Sequence, residues 1–312
     1  MKRDYNFDEL EGKIGFDPRQ IEKACRISDL LEDASNVTFL RDRLSLYGGT
    51  ALAFIRLDEI LRLSIDLDFN YRHLDEGDWE VIREQIDNRI KRLLYAQGYR
   101  NEDLAVQATY PLGRITVQYE NHLGQNDSFK IEIGYMRRIP ILPRDSLETF
   151  RHIATGEEFP VKTPQPEELY ANKWCTLLYR GSSRDLFDVY RISKKSFRQN
   201  IFRKCAVIDS LMRVQPRLYE IDVEKLVESI SIDTALRNLL LKDISKYDFK
   251  LVRQDVKEFS QETIHQLTAG EMSVIDGFYD EKKFVPDYMD TEMILNRRIT
   301  DHPLIRWALK QL

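Results

Sequence analysis

Residues 43–71 read RLSLYGGTALAFIRLDEILRLSIDLDFNY, and this stretch decides the fold. Residues 43–47 (RLSLY) predict a short strand that runs into Gly48-Gly49. Thr50-Ala51-Leu52-Ala53-Phe54 then predicts the start of a helix. Strand, glycine turn and helix together make a corner suited to phosphate. Glycine lets the backbone approach an anion closely, and amides at a helix start can point at it. A plain tight turn also accounts for Gly-Gly before a helix. Residues 65–71 (IDLDFNY) alternate apolar and polar, the pattern of a half-buried strand. Asp66 and Asp68 then share one face, with Ser64 two residues upstream, while Ile65, Leu67 and Phe69 face a core. Adjacent carboxylates repel and stay ionised most readily around a cation. Hard oxygen donors of this kind suit magnesium. A solvated polar face on an edge strand would carry the same pattern.

Upstream, Ile21, Ala24, Ile27, Leu30 and Leu31 recur at helical spacing over residues 18–34, with Pro18 suited to a first turn. Downstream, Trp79, Ile82, Ile86, Ile90, Leu93 and Leu94 predict an amphipathic helix over 77–97, stopped at Gly98. Strand-like runs follow at 104–110, 114–120 and 128–135, the last two joined by the turn-rich NHLGQND. In 128–135 (SFKIEIGY), Ile131 and Ile133 point one way and Glu132 the other. Glu132 is either an ordinary exposed strand residue or the third member of an acidic set with Asp66 and Asp68. Two magnesium ions held by such a set can align an attacking hydroxyl and neutralise a triphosphate.

Pro140, Pro143, Pro160, Pro164 and Pro166 mark an irregular stretch, and the domain boundary is placed near residue 160. Beyond it the pattern is helical, over 166–180, 184–196, 197–213, 222–230, 232–244, 249–267, 271–278 and 303–311. The expected architecture is α+β and bilobed: an α/β domain at 1–160 with a mixed sheet, then a helical domain at 161–312. No internal repeat or low-complexity segment is evident.

Composition narrows the function classes. A 312-residue chain with 42% hydrophobic and 32% charged residues can bury a real core. The formal net charge of −5 means that any nucleic-acid surface is a local patch. Cys25, Cys175 and Cys205 are scattered and odd in number, which argues against a disulfide framework or structural zinc and fits a reducing cytosol. The start has no apolar signal region, and no run approaches the roughly 20 apolar residues of a membrane span. A cytoplasmic protein without membrane association is expected. His73, His122, His152, His265 and His302 show no zinc-protease spacing. There is no G-x-S-x-G elbow, Walker-A lysine or kinase signature. Trp79, Trp174 and Trp307 read as core anchors.

The order of the pieces is more specific than any one of them. Strand, Gly-Gly-Thr, helix, D-x-D strand, helix and a later acid-bearing strand is the plan of DNA polymerase β-like nucleotidyltransferases. Within it, GGTALAFIRLDEILRLSIDLDF resembles the signature of the AbiEii toxins of bacterial and archaeal toxin–antitoxin pairs. That signature is a Gly-Gly-Thr-Ala-Leu start followed by Arg-x-Ser-x-Asp-Leu-Asp-Phe, and Arg62, Ser64, Asp66, Leu67, Asp68 and Phe69 fall in register. The long interval from glycines to aspartates matches as well. Residues 164–191 (PQPEELYANKWCTLLYRGSSRDLFDVYR) resemble the family's second signature, with Lys173 at its lysine and Asp188 at its aspartate. Asp185 lies one helical turn before Asp188. Recognisable resemblance spans about residues 40–195.

The resemblance implies a magnesium-dependent nucleotidyltransferase toxin with a cognate antitoxin. It transfers a nucleoside monophosphate from a nucleoside triphosphate to an acceptor, preferably the 3′ end of tRNA, in a cleft between two domains. Asp66 and Asp68 hold metal, with Glu132 as a third candidate, and a two-metal site is expected. Gly48, Gly49, Thr50, Arg62 and Ser64 bind nucleotide. Lys173 neutralises the triphosphate, and Asp188 positions Lys173 or the acceptor. Lys194, Lys195, Arg198, Arg203 and Lys204, interleaved with Phe197 and Phe202, offer either an RNA-binding surface or a solvated helix face, and Arg137-Arg138 could join the former. Two other readings stay open: a nucleotidyltransferase acting on a protein or small molecule, and a member that binds nucleotide without catalysis.

Overall fold

The computed structural model of the chain describes residues 3–73, 78–109, 111–214, 216–243, 247–289 and 294–312, without the side chains of residues 79, 108 and 109. The expected helix start at Gly77, the strand end at Tyr110, the helix end at Ile244 and the Trp79 anchor lie outside the described residues. Two compact units emerge. The first comprises Met1–Arg138, Ser146–Thr163 and Arg237–Ser245, and the second comprises Ile139–Asp145, Pro164–Leu236 and Lys246–Leu312. The chain thus passes between units more often than a single boundary at residue 160 implies.

The first unit opens with α1 (Phe7–Ile14), closed by Gly15 at φ 74°, and α2 (Pro18–Asn36). The Asp17 side chain caps α2 and Pro18 occupies its first turn. Its stripe of Ile21, Ala24, Ile27, Leu30 and Leu31 is buried, as the periodicity predicts. The short α3 (Thr38–Arg43) leads into β1 (Leu44–Tyr47), and α4 (Gly48–Ala51) continues as a π-helical turn over Leu52–Arg56. Then come β2 (Leu67–Tyr71), α5 (Trp79–Ala96), β3 (Leu104–Thr109), β4 (Leu112–Glu120) and β5 (Asn126–Gly134).

These strands form one mixed sheet in the order β1-β2-β5-β4-β3. Only β2 and β5 run parallel; the other neighbours are antiparallel. Alternation sets the two faces. Leu67, Phe69, Ile131, Ile133, Ile115 and Val117 are buried, whereas Asp68, Glu132 and Arg114 are part-exposed.

The stretch expected to be irregular contains a hairpin, β6 (Ser146–Arg151) and β7 (Glu158–Thr163). Pro160 sits within β7, and a strand with one outer edge tolerates the missing donor. Phe150 anchors the hairpin, with ring centroids 5.1 Å from Phe159 and 5.3 Å from Phe54.

The second unit is helical: α6 (Pro166–Arg180), α7 (Ser183–Ser193), α8 (Gln199–Leu211), α9 (Val223–Ser229), α10 (Thr234–Arg237), α11 (Phe249–His265), α12 (Ala269–Asp280) and α13 (Pro303–Leu309). Trp174 is fully buried and its indole donates to Ser260 Oγ at 2.9 Å. Trp307, expected in a core, is 44% exposed. Ile141 and Leu142 join this unit because their amides donate to Glu168 Oε2 at 2.9 and 3.0 Å. The helix expected over 232–244 shrinks to the four residues of α10. Beyond it the backbone turns to another partner: Leu63 N–H donates to the Leu239 carbonyl at 2.8 Å, and Leu241 N–H to the Leu61 carbonyl at 3.0 Å.

Candidate active site

The phosphate corner forms where the sequence predicts it. Gly48 ends the turn after β1 with φ 69°, a region that favours glycine. Its missing side chain makes room for a carboxylate, because a Cβ there would lie 3.0 Å from Asp68 Cγ. At Gly49 a Cβ would meet Ser64 Oγ at 2.8 Å and Arg62 Nη2 at 3.0 Å. The two glycines therefore bring both halves of the first signature against each other. No side chain caps the start of α4, so its first amides are not capped from within the helix.

Thr50 ties the corner to the acidic segment. Its buried hydroxyl donates to the Asp66 carbonyl at 2.5 Å and shares a hydrogen bond with the Ser64 hydroxyl at 3.0 Å. Ser64 and Arg62 are buried as well, and Arg62 Nη1 donates to the Leu63 carbonyl at 2.8 Å. These three side chains shape the corner from within.

The strand begins at Leu67, so Ser64, Ile65 and Asp66 precede it. Strand alternation, the expected reason for Ser64 and Asp66 to share a face, does not apply to them. The Thr50 hydrogen bonds hold this approach instead, and both Asp66 and Asp68 remain half-buried. The backbone around Arg62 is clamped by residues 239–241, a support that no local motif in the sequence announced.

Glu132 stands directly across from Asp68 in the β2–β5 register. Its carboxylate is engaged elsewhere: Arg114 Nε donates to Glu132 Oε1 at 2.7 Å. Among the described residues no group of three or more His, Cys, Asp or Glu side chains is gathered closely enough to hold a metal ion. The three-acid set expected from the sequence is therefore not gathered as such. Arg114 escaped the sequence reading because one charged residue on an alternating strand is unremarkable alone; its register with Glu132 gives it meaning.

In the helical unit, Lys173 and Asp188 meet as the second signature implies, with Nζ 3.0 Å from Oδ2. Asp185 lies 3.8 Å from the same ammonium and binds Arg180 and Ser182 more closely. All three residues are buried, Lys173 at 7% exposure. The basic–aromatic cluster is committed to structure. Lys194 pairs with Asp255, Arg198 with Glu167 and Arg203 with Glu271, while Lys204 bonds the Met289 carbonyl. Phe202 is fully buried among Trp174, Phe197 and Phe259, so it presents no stacking surface. Arg137 lies over the Tyr47 ring, and Arg138 donates to the Tyr135 carbonyl.

The model of the AbiEii family, described as nucleotidyl transferase AbiEii toxin of type IV toxin–antitoxin systems, matches residues 29–270. Among solved structures the chain is similar in fold to MenT4, a nucleotidyltransferase toxin from Mycobacterium tuberculosis H37Rv. The TM-score is 0.67 at 18% identity, over 93% of this chain and 99% of that one. An antigenic nucleotidyltransferase-like protein from Paracoccidioides brasiliensis overlaps 53% of this chain and 76% of its own, at 17% identity and a TM-score of 0.33. No curated protein matches the sequence. The chain, an α+β protein with a mixed sheet and a helical carboxy-terminal region, belongs to the AbiEii family of nucleotidyltransferase toxins.

Proposed function

We propose that this toxin transfers a nucleoside monophosphate from a nucleoside triphosphate to the 3′ end of an RNA, with tRNA as the acceptor class, and that it uses magnesium. The observation that carries the reading is the corner itself. Gly48 is packed on Asp68, and Thr50 is bonded to Asp66 and Ser64. One corner thereby combines glycine amides for phosphate with two hard carboxylates.

The donor set fits magnesium, which is commonly held by one or two carboxylates together with substrate phosphates. Asp66 and Asp68 would hold it. When bound, the ion supplies charge neutralisation and alignment for an in-line displacement. Amides at Gly48, Gly49 and Thr50 receive the phosphate oxygens, while Arg62 and Ser64 keep the corner in shape from behind. The acceptor hydroxyl oxygen forms a bond to the α-phosphorus. The bridging bond from the α-phosphorus to oxygen breaks, pyrophosphate leaves, and the hydroxyl proton passes to solvent. Lys173, held by Asp188, is the lysine that the family resemblance assigns to the triphosphate.

A cognate antitoxin that restrains the activity and a cytoplasmic location complete the reading. Among the described residues no helix is long and apolar enough to cross a membrane. Incubating the protein with total RNA, magnesium and each α-labelled nucleoside triphosphate tests the reading. Label in a tRNA-sized band supports it, and label only on protein replaces the acceptor class.

A further inference from the structure

One row of residues crosses the whole sheet. Tyr47, Asp68, Glu132, Arg114 and Gln107 are successive register partners on β1, β2, β5, β4 and β3. Glu132 and Arg114 share the sheet face opposite the buried Ile131, Ile133 and Ile115. Arg114 uses only Nε to hold Glu132, and its side chain is 35% exposed. A guanidinium has five N–H donors, so the Arg114 fork keeps donors for a ligand. Lys130 lies two residues before Glu132 on β5, opposite Thr116 and exposed. It has no ion-pair partner among the described residues. Two cations thus flank Glu132 on the face that carries Asp68.

We propose that Arg114 and Lys130 seat the sugar–phosphate backbone of the acceptor RNA, and that Glu132 is a positioning residue that aims Arg114 rather than a metal ligand. This rests on RNA transfer as the function. An Arg fork and a Lys point charge are the two side chains that suit backbone phosphates. The chain is acidic overall, so attraction for a polyanion has to come from such a local pair. The seat also leads to the reacting centre. Arg114 is two strands from Asp68, about 10 Å at the usual strand spacing, so a backbone held there ends near the two aspartates.

The test measures anisotropy of a 5′-fluorescein RNA with a free 3′ hydroxyl, bound to the full chain, across potassium chloride from about 50 to 200 mM. Arg114→Ala is expected to raise Kd about tenfold and to flatten the slope of log Kd against log salt by about 0.7, one single-strand phosphate contact. Lys130→Ala flattens it by a similar amount. Arg114→Lys keeps the slope but recovers only part of the affinity. Glu132→Gln keeps the slope, raises KM for RNA more than it lowers kcat, and adds nothing in the Arg114→Ala background.

Wild-type slopes and Kd in both alanine variants overturn the seat. Loss of kcat in Glu132→Gln with unchanged RNA binding overturns its positioning role and returns it to the metal site. Failure of the parent reading looks different: the wild type itself then binds no RNA, and the seat falls with it.

Discussion

Gly48 and Asp68 are a matched pair. The turn after β1 takes a positive φ at Gly48, and the space where its side chain would stand is filled by the Asp68 carboxylate. Gly48→Ala therefore has two effects. Backbone strain costs at least about 1 kcal/mol, and the new methyl displaces the carboxylate assigned to metal. Transfer activity is expected to fall by far more than the stability change explains. Thermal melts beside turnover measure both. Full activity in a destabilised Gly48→Ala protein contradicts the pairing.

Thr50→Val keeps the shape of the side chain and removes the donor to the Asp66 carbonyl. A buried group left without its partner costs about 1–3 kcal/mol. A lower melting temperature and reduced kcat are expected, with Thr50→Ser restoring most of both. Equal activity of the Val and Ser variants would show that this hydrogen bond does not place Asp66.

Lys173 has a structural duty that any activity assay has to separate from chemistry. Its ammonium is buried against Asp188, and Asp185 is already held by Arg180. Lys173→Met takes the ammonium away from the buried Asp188 carboxylate, an expected loss of up to about 3–5 kcal/mol. Adding Asp188→Leu removes the buried carboxylate that the ammonium had balanced and should recover part of that stability. Activity that stays absent in the refolded double variant supports the chemical role. Activity that returns with stability contradicts it.

Acid sensitivity is expected around Asp29. Burial pushes its carboxyl up, but hydrogen bonds from His152, Arg3 and Tyr5 outweigh this and hold it below the ordinary carboxylate range. A depressed folded-state value contributes stability above the unfolded value near 4 and loses it as pH falls through the folded value. Asp29→Asn should lower the melting temperature at pH 7. The difference from wild type should shrink as pH drops below about 4. A gap that stays constant down to acid unfolding contradicts the assignment.

The first signature was readable because its parts are local: a strand, two glycines and two aspartates at the start of a second strand, all within 43–71. Its supports were not, because they are distant in sequence. Residues 239–241 pair with 61–63 and so lose the helix that their composition favours. The β6–β7 hairpin was hidden by Pro160, which reads as a breaker unless the strand has an outer edge. Glu132 was correctly placed on a strand with its side chain opposite Ile131 and Ile133, yet only cross-strand register reveals Arg114 as its partner. The basic run after α7 stayed open between an RNA surface and a solvated helix face because the acids that pair with Arg198, Lys194 and Arg203, namely Glu167, Asp255 and Glu271, lie on other helices.

The most direct measurement follows label from α-labelled nucleoside triphosphates into RNA with magnesium, for wild type and Asp66→Asn side by side at equal folded concentration. The account predicts labelled RNA from the wild type and a loss of at least about a hundredfold in the variant. Equal labelling by both proteins would contradict the assignment of Asp66 to the reacting centre.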